Sequence, residues 1–130
     1  RDFHGNVPQI ISRTTKLGIS IDGATEDTYE RLRLGGRWNK ILDGLDHAKS
    51  LKAEHGFKFE LHMVVQNDNW REMEQMLELG HKHNVDRIYF NRIEDWSTKL
   101  DMSTQTFFED REFQDKVQRL QADPIAIMNL

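Results

Sequence analysis

Three short stretches carry the polar side chains with which this chain could hold or transform a ligand. Ser20 and Asp22 end the run KLGISIDG, Glu60, His62 and Gln66 alternate along FKFELHMVVQ, and Asn91 and Arg92 close RIYFNR. A hydroxyl, carboxamides, a carboxylate and a guanidinium suit hydrogen bonding to hydroxyls, amides and a carboxylate. They do not combine an acid–base pair with a nucleophile, and the sequence contains no cysteine. The same residue types also stabilise ordinary strand-to-helix turns with no ligand present. Their placement has to decide between the two roles.

Other candidate chemistry falls away on spacing. Glu60 and His62 read first as a hydrogen-bonded core pair, and a hydrolase built on them would lack a nucleophile. His81 and His83 are two residues apart, so on a helix they face different directions, unlike a metal-binding i, i+4 pair. They stand in a last helical turn, where a partly protonated imidazole complements the dipole, and no metal site is expected. GISIDG lacks the later glycines of a dinucleotide fingerprint, and LGGRWNK lacks the Lys-Ser/Thr of a phosphate loop. Met73 and Met76 read as core packing.

The elements that must position these groups follow from periodicity. Leu17, Ile19 and Ile21 share one face of a strand, with Gly18, Ser20 and Asp22 on the other. Asp22-Gly23 ends it, glycine being tolerant of the positive φ of a sharp turn. Thr25 is placed as the N-cap of the next helix, with Glu26 and Asp27 in its first turn, and Gly35-Gly36 stops it. Trp38, Ile41, Leu42, Leu45, Ala48 and Leu51 mark one buried stripe of a helix over about 37–54, with Gly56 just past its end. Phe57, Phe59, Leu61, Met63 and Val65 oppose Lys58, Glu60, His62, Val64 and Gln66 in the clearest strand. Asn69 with Glu72 reads as a capping box for a helix carrying Trp70, Met73, Met76, Leu77 and Gly80. A third strand sets Ile88 and Phe90 against Tyr89 and Asn91. An irregular stretch, a short amphipathic helix in FFEDREFQDKVQRLQ and a last strand or extended tail in PIAIMNL complete the chain.

With 130 residues, 31% charged and a net charge of -4 with both signs interspersed, the chain is a folded single domain without the clustered basic face of a nucleic-acid binder. No apolar run approaches the roughly 20 residues needed to span a bilayer. The cytoplasm is the expected compartment. The chain opens at Arg1 with no starting cap, and Val7 to Thr14 reads as the tail of a helix cut from something longer. Strands alternating with helices imply parallel pairing and right-handed crossovers. A sheet covered by helices on both sides would be apolar on both faces, whereas Ser20, Asp22, Glu60, His62 and Gln66 make one face polar. The pattern therefore predicts an α/β fold, a parallel βαβαβα fragment of a barrel whose interior wall is polar.

The runs SIDGATEDTYERLRLGGRWNKILDGL and VVQNDNWREMEQMLELGHKHNVDRIYFNRI resemble the central segment of radical S-adenosylmethionine (radical SAM) enzymes, especially those with a C-terminal SPASM or related cluster domain. The likeness extends over roughly residues 15–96. It implies a partial (β/α)6 TIM-like barrel, present here from its fourth strand onward. In such enzymes a [4Fe-4S] cluster on a Cys-x3-Cys-x2-Cys loop binds S-adenosylmethionine, whose reductive cleavage yields a 5′-deoxyadenosyl radical that takes hydrogen from the substrate. By this resemblance Ser20 and Asp22 match the strand end near the ribose or methionyl group, and Arg33 the arginine near the methionine carboxylate. Asn91, with Ile93, matches the strand lining the adenine pocket, and Glu60, His62 and Gln66 face the substrate.

The cluster cysteines and a Gly-Gly-Glu segment for the methionine amine are absent. The expectation is one domain, 1–130, forming the carboxy half of a catalytic barrel. Residues 1–15 end a preceding helix, 16–96 form the βαβαβ core, and 97–130 form a terminal helix and tail. Its partners would be the N-terminal half of the barrel, a C-terminal auxiliary domain and a small-molecule or peptide substrate, with neither nucleic acid nor membrane. The parent would be an oxidoreductase or transferase. The isolated chain would hold neither S-adenosylmethionine nor a [4Fe-4S] cluster, would be inactive, and would self-associate through open strand edges. The alternative is a self-contained, non-catalytic α/β binding or regulatory module.

Overall fold

A computed structural model describes residues 16–93 and 106–130. The expected helix tail at 7–14 and most of the irregular stretch, 94–105, lie outside the described residues. Within them the order is β1 (Lys16–Ser20), α1 (Glu26–Leu32), α2 (Trp38–His55), β2 (Lys58–Val65), a 3-10 turn (Trp70–Glu72) running into α3 (Met73–Lys82), then β3 (Arg87–Arg92). A second 3-10 turn (Phe107–Glu109), α4 (Arg111–Leu120) and β4 (Ala126–Asn129) follow. The terminal PIAIMNL segment is thus a strand, paired to β3.

The four strands are all parallel and lie in sequence order, β1-β2-β3-β4. Crossovers between parallel strands are right-handed in nearly all proteins, so strands laid down in sequence order carry their helices on a single face. The burial agrees. Ile21, Phe59, Leu61, Met63, Val65, Ile88 and Phe90 point to one face and are fully buried. Onto them pack Leu45, Ala48 and Leu51 of α2 and Met73, Met76 and Leu77 of α3. Gly80 lets α3 settle on the sheet, since a Cβ there would lie 2.5 Å from Ile88 Cδ1. The aromatic rings of Trp70, Phe107 and Phe113 dock α4: Phe113 meets Trp70 edge-on at 5.5 Å, and Phe107 stacks on it at 6.0 Å. Such pairs add to plain area burial. No helix among the described residues is long and apolar enough to cross a membrane.

Local signals set the helix ends. Thr25 caps α1, its Oγ1 accepting from the Thr28 N–H at 3.4 Å. Gly56 closes α2 in the left-handed region at φ 73°, a conformation that costs a side-chain-bearing residue more. Gly23 differs from expectation, because it is not among the residues at positive φ. It is needed for close approach: a Cβ there would sit 2.5 Å from Tyr29 N and 2.7 Å from Tyr29 Cα. The first turn of α1 lies directly against the chain leaving β1.

Two measurements test this packing. Gly23→Ala forces backbone against backbone and is expected to destabilise the chain by about 3 kcal/mol, read as a lower urea midpoint at unchanged slope. Glu74 bridges α3 to α4, bonded to Lys116 Nζ at 2.6 Å and Arg119 Nη2 at 3.1 Å. Arg119 first, then Lys116, hold its carboxyl down from 4.5 to about 2. A carboxyl depressed on folding stabilises above its unfolded pKa, and that contribution fades as pH falls from about 4.5 towards 2. The Glu74 side chain is 43% exposed, so solvent screens the pair to about 1 kcal/mol at most. Glu74→Gln is expected to lose that increment at neutral pH and to flatten the acid limb of the stability curve. An acid limb as steep in the variant as in the parent chain would contradict it.

Candidate functional site

The second face of the sheet is polar, and no helix of the described residues covers it. The register sorts its side chains into rows running across the strands. Gly18, Glu60 and Arg87 form one row, Ser20, His62, Tyr89 and Ile127 the next. Val64, Asn91 and Asn129 form the row nearest the C-terminal ends of the strands. This is the end at which βα-barrels gather their functional groups.

In the middle rows three side chains converge. The His62 and Tyr89 rings stack with centroids 4.8 Å apart and planes 8° from parallel. Tyr89 donates its phenolic proton to Glu60 Oε2 at 3.4 Å. Glu60 Oε1 is 3.7 Å from His62 Nε2 and 3.9 Å from Lys16 Nζ, both beyond hydrogen-bonding length. The expected hydrogen-bonded core pair is therefore not formed. Glu60 is buried, with 7% of its surface exposed, while the His62 side chain is 37% exposed. Gly18 stands beside them, and its missing side chain leaves open the space over His62 Nε2, 3.4 Å from where a Cβ would be.

At the strand ends most of the polar groups tie the chain together. Asp22 Oδ1 accepts from the Val64 N–H at 3.1 Å, extending the β1–β2 contact beyond the last strand residue. Asn69, fully buried, accepts from the Gln66 N–H at 2.8 Å and donates to the carbonyls of Val64 at 2.8 Å and Asp22 at 2.9 Å. The expected capping box does not form, since Asn69 makes no side-chain cap bond. Its partner Glu72 instead crosses to the start of α1, accepting from the Ala24 N–H at 2.8 Å, from Thr25 Oγ1 at 3.1 Å and from Thr28 Oγ1. A carboxylate at a helix N-terminus satisfies orphan donors and the dipole at once.

The remaining candidates divide. Arg33 reaches back to the end of β1, its Nη2 donating to the Ser20 carbonyl at 3.2 Å, so these two share one corner of the rim. Asn91 Oδ1 accepts from Asn129 Nδ2 at 2.9 Å, pairing two carboxamides at the far side. Gln66 is half-buried beyond β2. Arg92 lies over the Phe108 ring at 4.1 Å and is drawn into packing. The helix C-terminal histidines are anchored: His81 to Asp123 at 2.8 Å, and His83 to Asp46 at 2.8 Å and the Leu79 carbonyl at 2.9 Å. Among the described residues no group of three His, Cys, Asp or Glu could hold a metal ion.

Sequence reading missed Asn69 and Glu72 as rim ties, Tyr89 as the ring beneath His62, and Asn129. Asn-x-x-Glu was visible, but a capping box was the nearer explanation. Tyr89 and Asn129 needed the register. Removing the Asn69 carboxamide strands buried backbone groups at both strand ends, so Asn69→Ala is expected to cost about 3 kcal/mol, measured by denaturant unfolding. A loss under about 1 kcal/mol would show that these backbone groups find other partners.

No family model matches the sequence, and no curated protein matches it. Among solved structures the chain is similar to Streptococcus suis SuiB. It aligns with SuiB bound to S-adenosylmethionine at a TM-score of 0.59 and 13% identity, covering 93% of this chain and 26% of that one. With SuiB itself the TM-score is 0.62 at 12% identity, over 92% and 28% of the two chains. With SuiB bound to its precursor peptide SuiA it is 0.60 at 12% identity, over 93% and 27%. This chain spans about a quarter of SuiB's length. At such identity the likeness is one of fold, and that fold is a parallel α/β segment of a partial TIM-like barrel.

Proposed function

We propose that this chain is the carboxy-terminal wall of a radical SAM enzyme's catalytic barrel. The observation that carries the reading is the one-sided sheet. Its helix-free face is polar, its C-terminal rim offers Ser20, Arg33, Asn91 and Asn129, and its fold is shared with a protein crystallised with S-adenosylmethionine. The donor set suits that cosubstrate. Hydroxyl and carboxamide groups match a ribose and an adenine edge, and a guanidinium with one arm on the Ser20 carbonyl can grip a carboxylate with the other. Asp22 holds β2 through one oxygen, which leaves its role beside the ribose to the second.

When bound, the cosubstrate and a reduced [4Fe-4S] cluster would supply the 5′-deoxyadenosyl radical. These 130 residues contain no cysteine, so thiolates for such a cluster would come from another part of the parent. The work of this chain would be to orient the cosubstrate at the rim, to line the wall with Val64 and Ile127, and to present Glu60, His62 and Gln66 to the substrate. A peptide substrate is supported by the complex of SuiB with SuiA. A SPASM-type auxiliary domain and a cytoplasmic location belong to the same proposal. So does self-association of the isolated chain, because β1 and β4 each have one strand neighbour among the described residues.

The test is calorimetric. With only part of the cosubstrate site, the isolated chain is expected to bind S-adenosylmethionine no more tightly than about millimolar, and the parent, with its cluster reconstituted, is expected to bind it about a thousandfold more tightly. Arg33→Ala in the parent should weaken binding about tenfold, the loss of one charge-assisted contact. A micromolar dissociation constant for the isolated chain would overturn the half-site reading. A reading frame that begins just before Arg1 without Cys-x3-Cys-x2-Cys would overturn the family.

A further inference from the structure

We propose that His62 is a general base on the open wall of the sheet, with Glu60 as the carboxylate that faces the imidazolium formed on proton transfer. The inference deepens the reading above by assigning chemistry to the substrate-facing wall.

Glu60 is an unusual carboxylate. Glu60 is buried to 7% exposure on the polar face, and the hydrogen bond found for it is the long one from Tyr89, 3.4 Å to Oε2. Its other oxygen faces His62 Nε2 at 3.7 Å and Lys16 Nζ at 3.9 Å without bonding to either. A buried carboxylate gains when positive charge develops close by in a low-dielectric setting. His62 Nε2 is where that charge would appear on proton transfer. Stacking on Tyr89 fixes the imidazole plane.

Access is built into the strand register. Gly18 is the β1 neighbour of Glu60 and lies beside the imidazole. A Cβ at that position would be 3.4 Å from Nε2 and 3.6 Å from Cδ2, an ordinary contact that would cover the nitrogen. Glycine therefore leaves a notch over the one ring nitrogen that faces the carboxylate. Lys16 sits at the lower edge of this notch with 63% of its side chain exposed, and Ser20 adjoins His62 above. A substrate C–H or N–H of modest acidity, lowered into the notch, would give its proton to Nε2, leaving an imidazolium against Glu60 Oε1. Such placed bases typically contribute about a hundredfold or more in rate.

The probe is a nitrobenzisoxazole, offered to the isolated chain. Its deprotonation is self-contained: Nε2 takes the ring C–H proton and the C–H electron pair forms the nitrile. The N–O bond breaks, and its pair leaves on oxygen as a coloured phenolate. Neither S-adenosylmethionine nor a cluster takes part, so failure here leaves the cosubstrate reading standing, and the reverse also holds. His62→Gln is expected to lower kcat/KM at least about tenfold. Gly18→Ala, which fills the notch without a clash, should lower it by a similar factor with an unchanged circular dichroism spectrum and Tm. Glu60→Gln should lower kcat several-fold while KM stays within twofold, a split that mere loss of structure would not give. A wild-type rate within twofold of His62→Gln overturns the proposal. Should that variant fail to fold, a Gly18→Ala rate equal to wild type overturns it instead.

Discussion

Everything on the functional side of this molecule depends on where its helices are not. Four parallel strands are laid down in sequence order, and since crossovers between parallel strands are right-handed in nearly all proteins, such an order sends the helices to one face. That face becomes the apolar core of Phe59, Leu61, Met63, Ile88 and Phe90. The opposite face receives no helix among the described residues, so its side chains are selected for something other than core packing. Burial there is partial and polar, and the rows of Ser20, His62, Tyr89, Asn91 and Asn129 are the result.

The loops of the rim are tied by side chains with long sequence reach. Asn69 joins the ends of β1 and β2 through three hydrogen bonds at 2.8–2.9 Å. Glu72, one turn later, holds the start of α1 across 48 residues of chain. Asp22 and Gly23 then place that helix against the departing strand, the first by bonding to the β2 backbone and the second by having no side chain. Loops fixed in this way hold Ser20 and Arg33 in one corner, at the C-terminal end of β1.

Much of this was legible in the sequence. Strict alternation from Phe57 to Gln66 separated the core face from the polar face, because a strand's side-chain period of two leaves no other assignment. The polar second faces of β1 and β2 indicated a barrel wall, and the parallel sheet and its single apolar face agree. Thr25 and Gly56 marked helix ends through chemistry confined to one turn. Legibility stopped where partners are far apart in sequence. Asn69 and Glu72 read as a local capping box, since nothing in four residues of sequence reveals a carbonyl or a helix start some 45 residues away. Gly23 read as a turn former, because a φ requirement and a close approach both call for glycine.

The sequence by itself determined the element order, the identity of the two sheet faces and the set of polar residues on one of them. These follow from periodicities of two and 3.6 and from hydrogen bonds that close within a turn. Only the tertiary structure decided which of those residues meet. Register placed Gly18 next to Glu60, and His62 between Ser20 and Tyr89, and a shift of one residue would have turned each to the other face. It also showed that Glu60 and His62 stand 3.7 Å apart, adjacent on the polar face and too far to bond. Inter-strand distance and side-chain rotamer, which decide such a gap, are properties of the packed sheet and leave no trace in the order of residues along one strand.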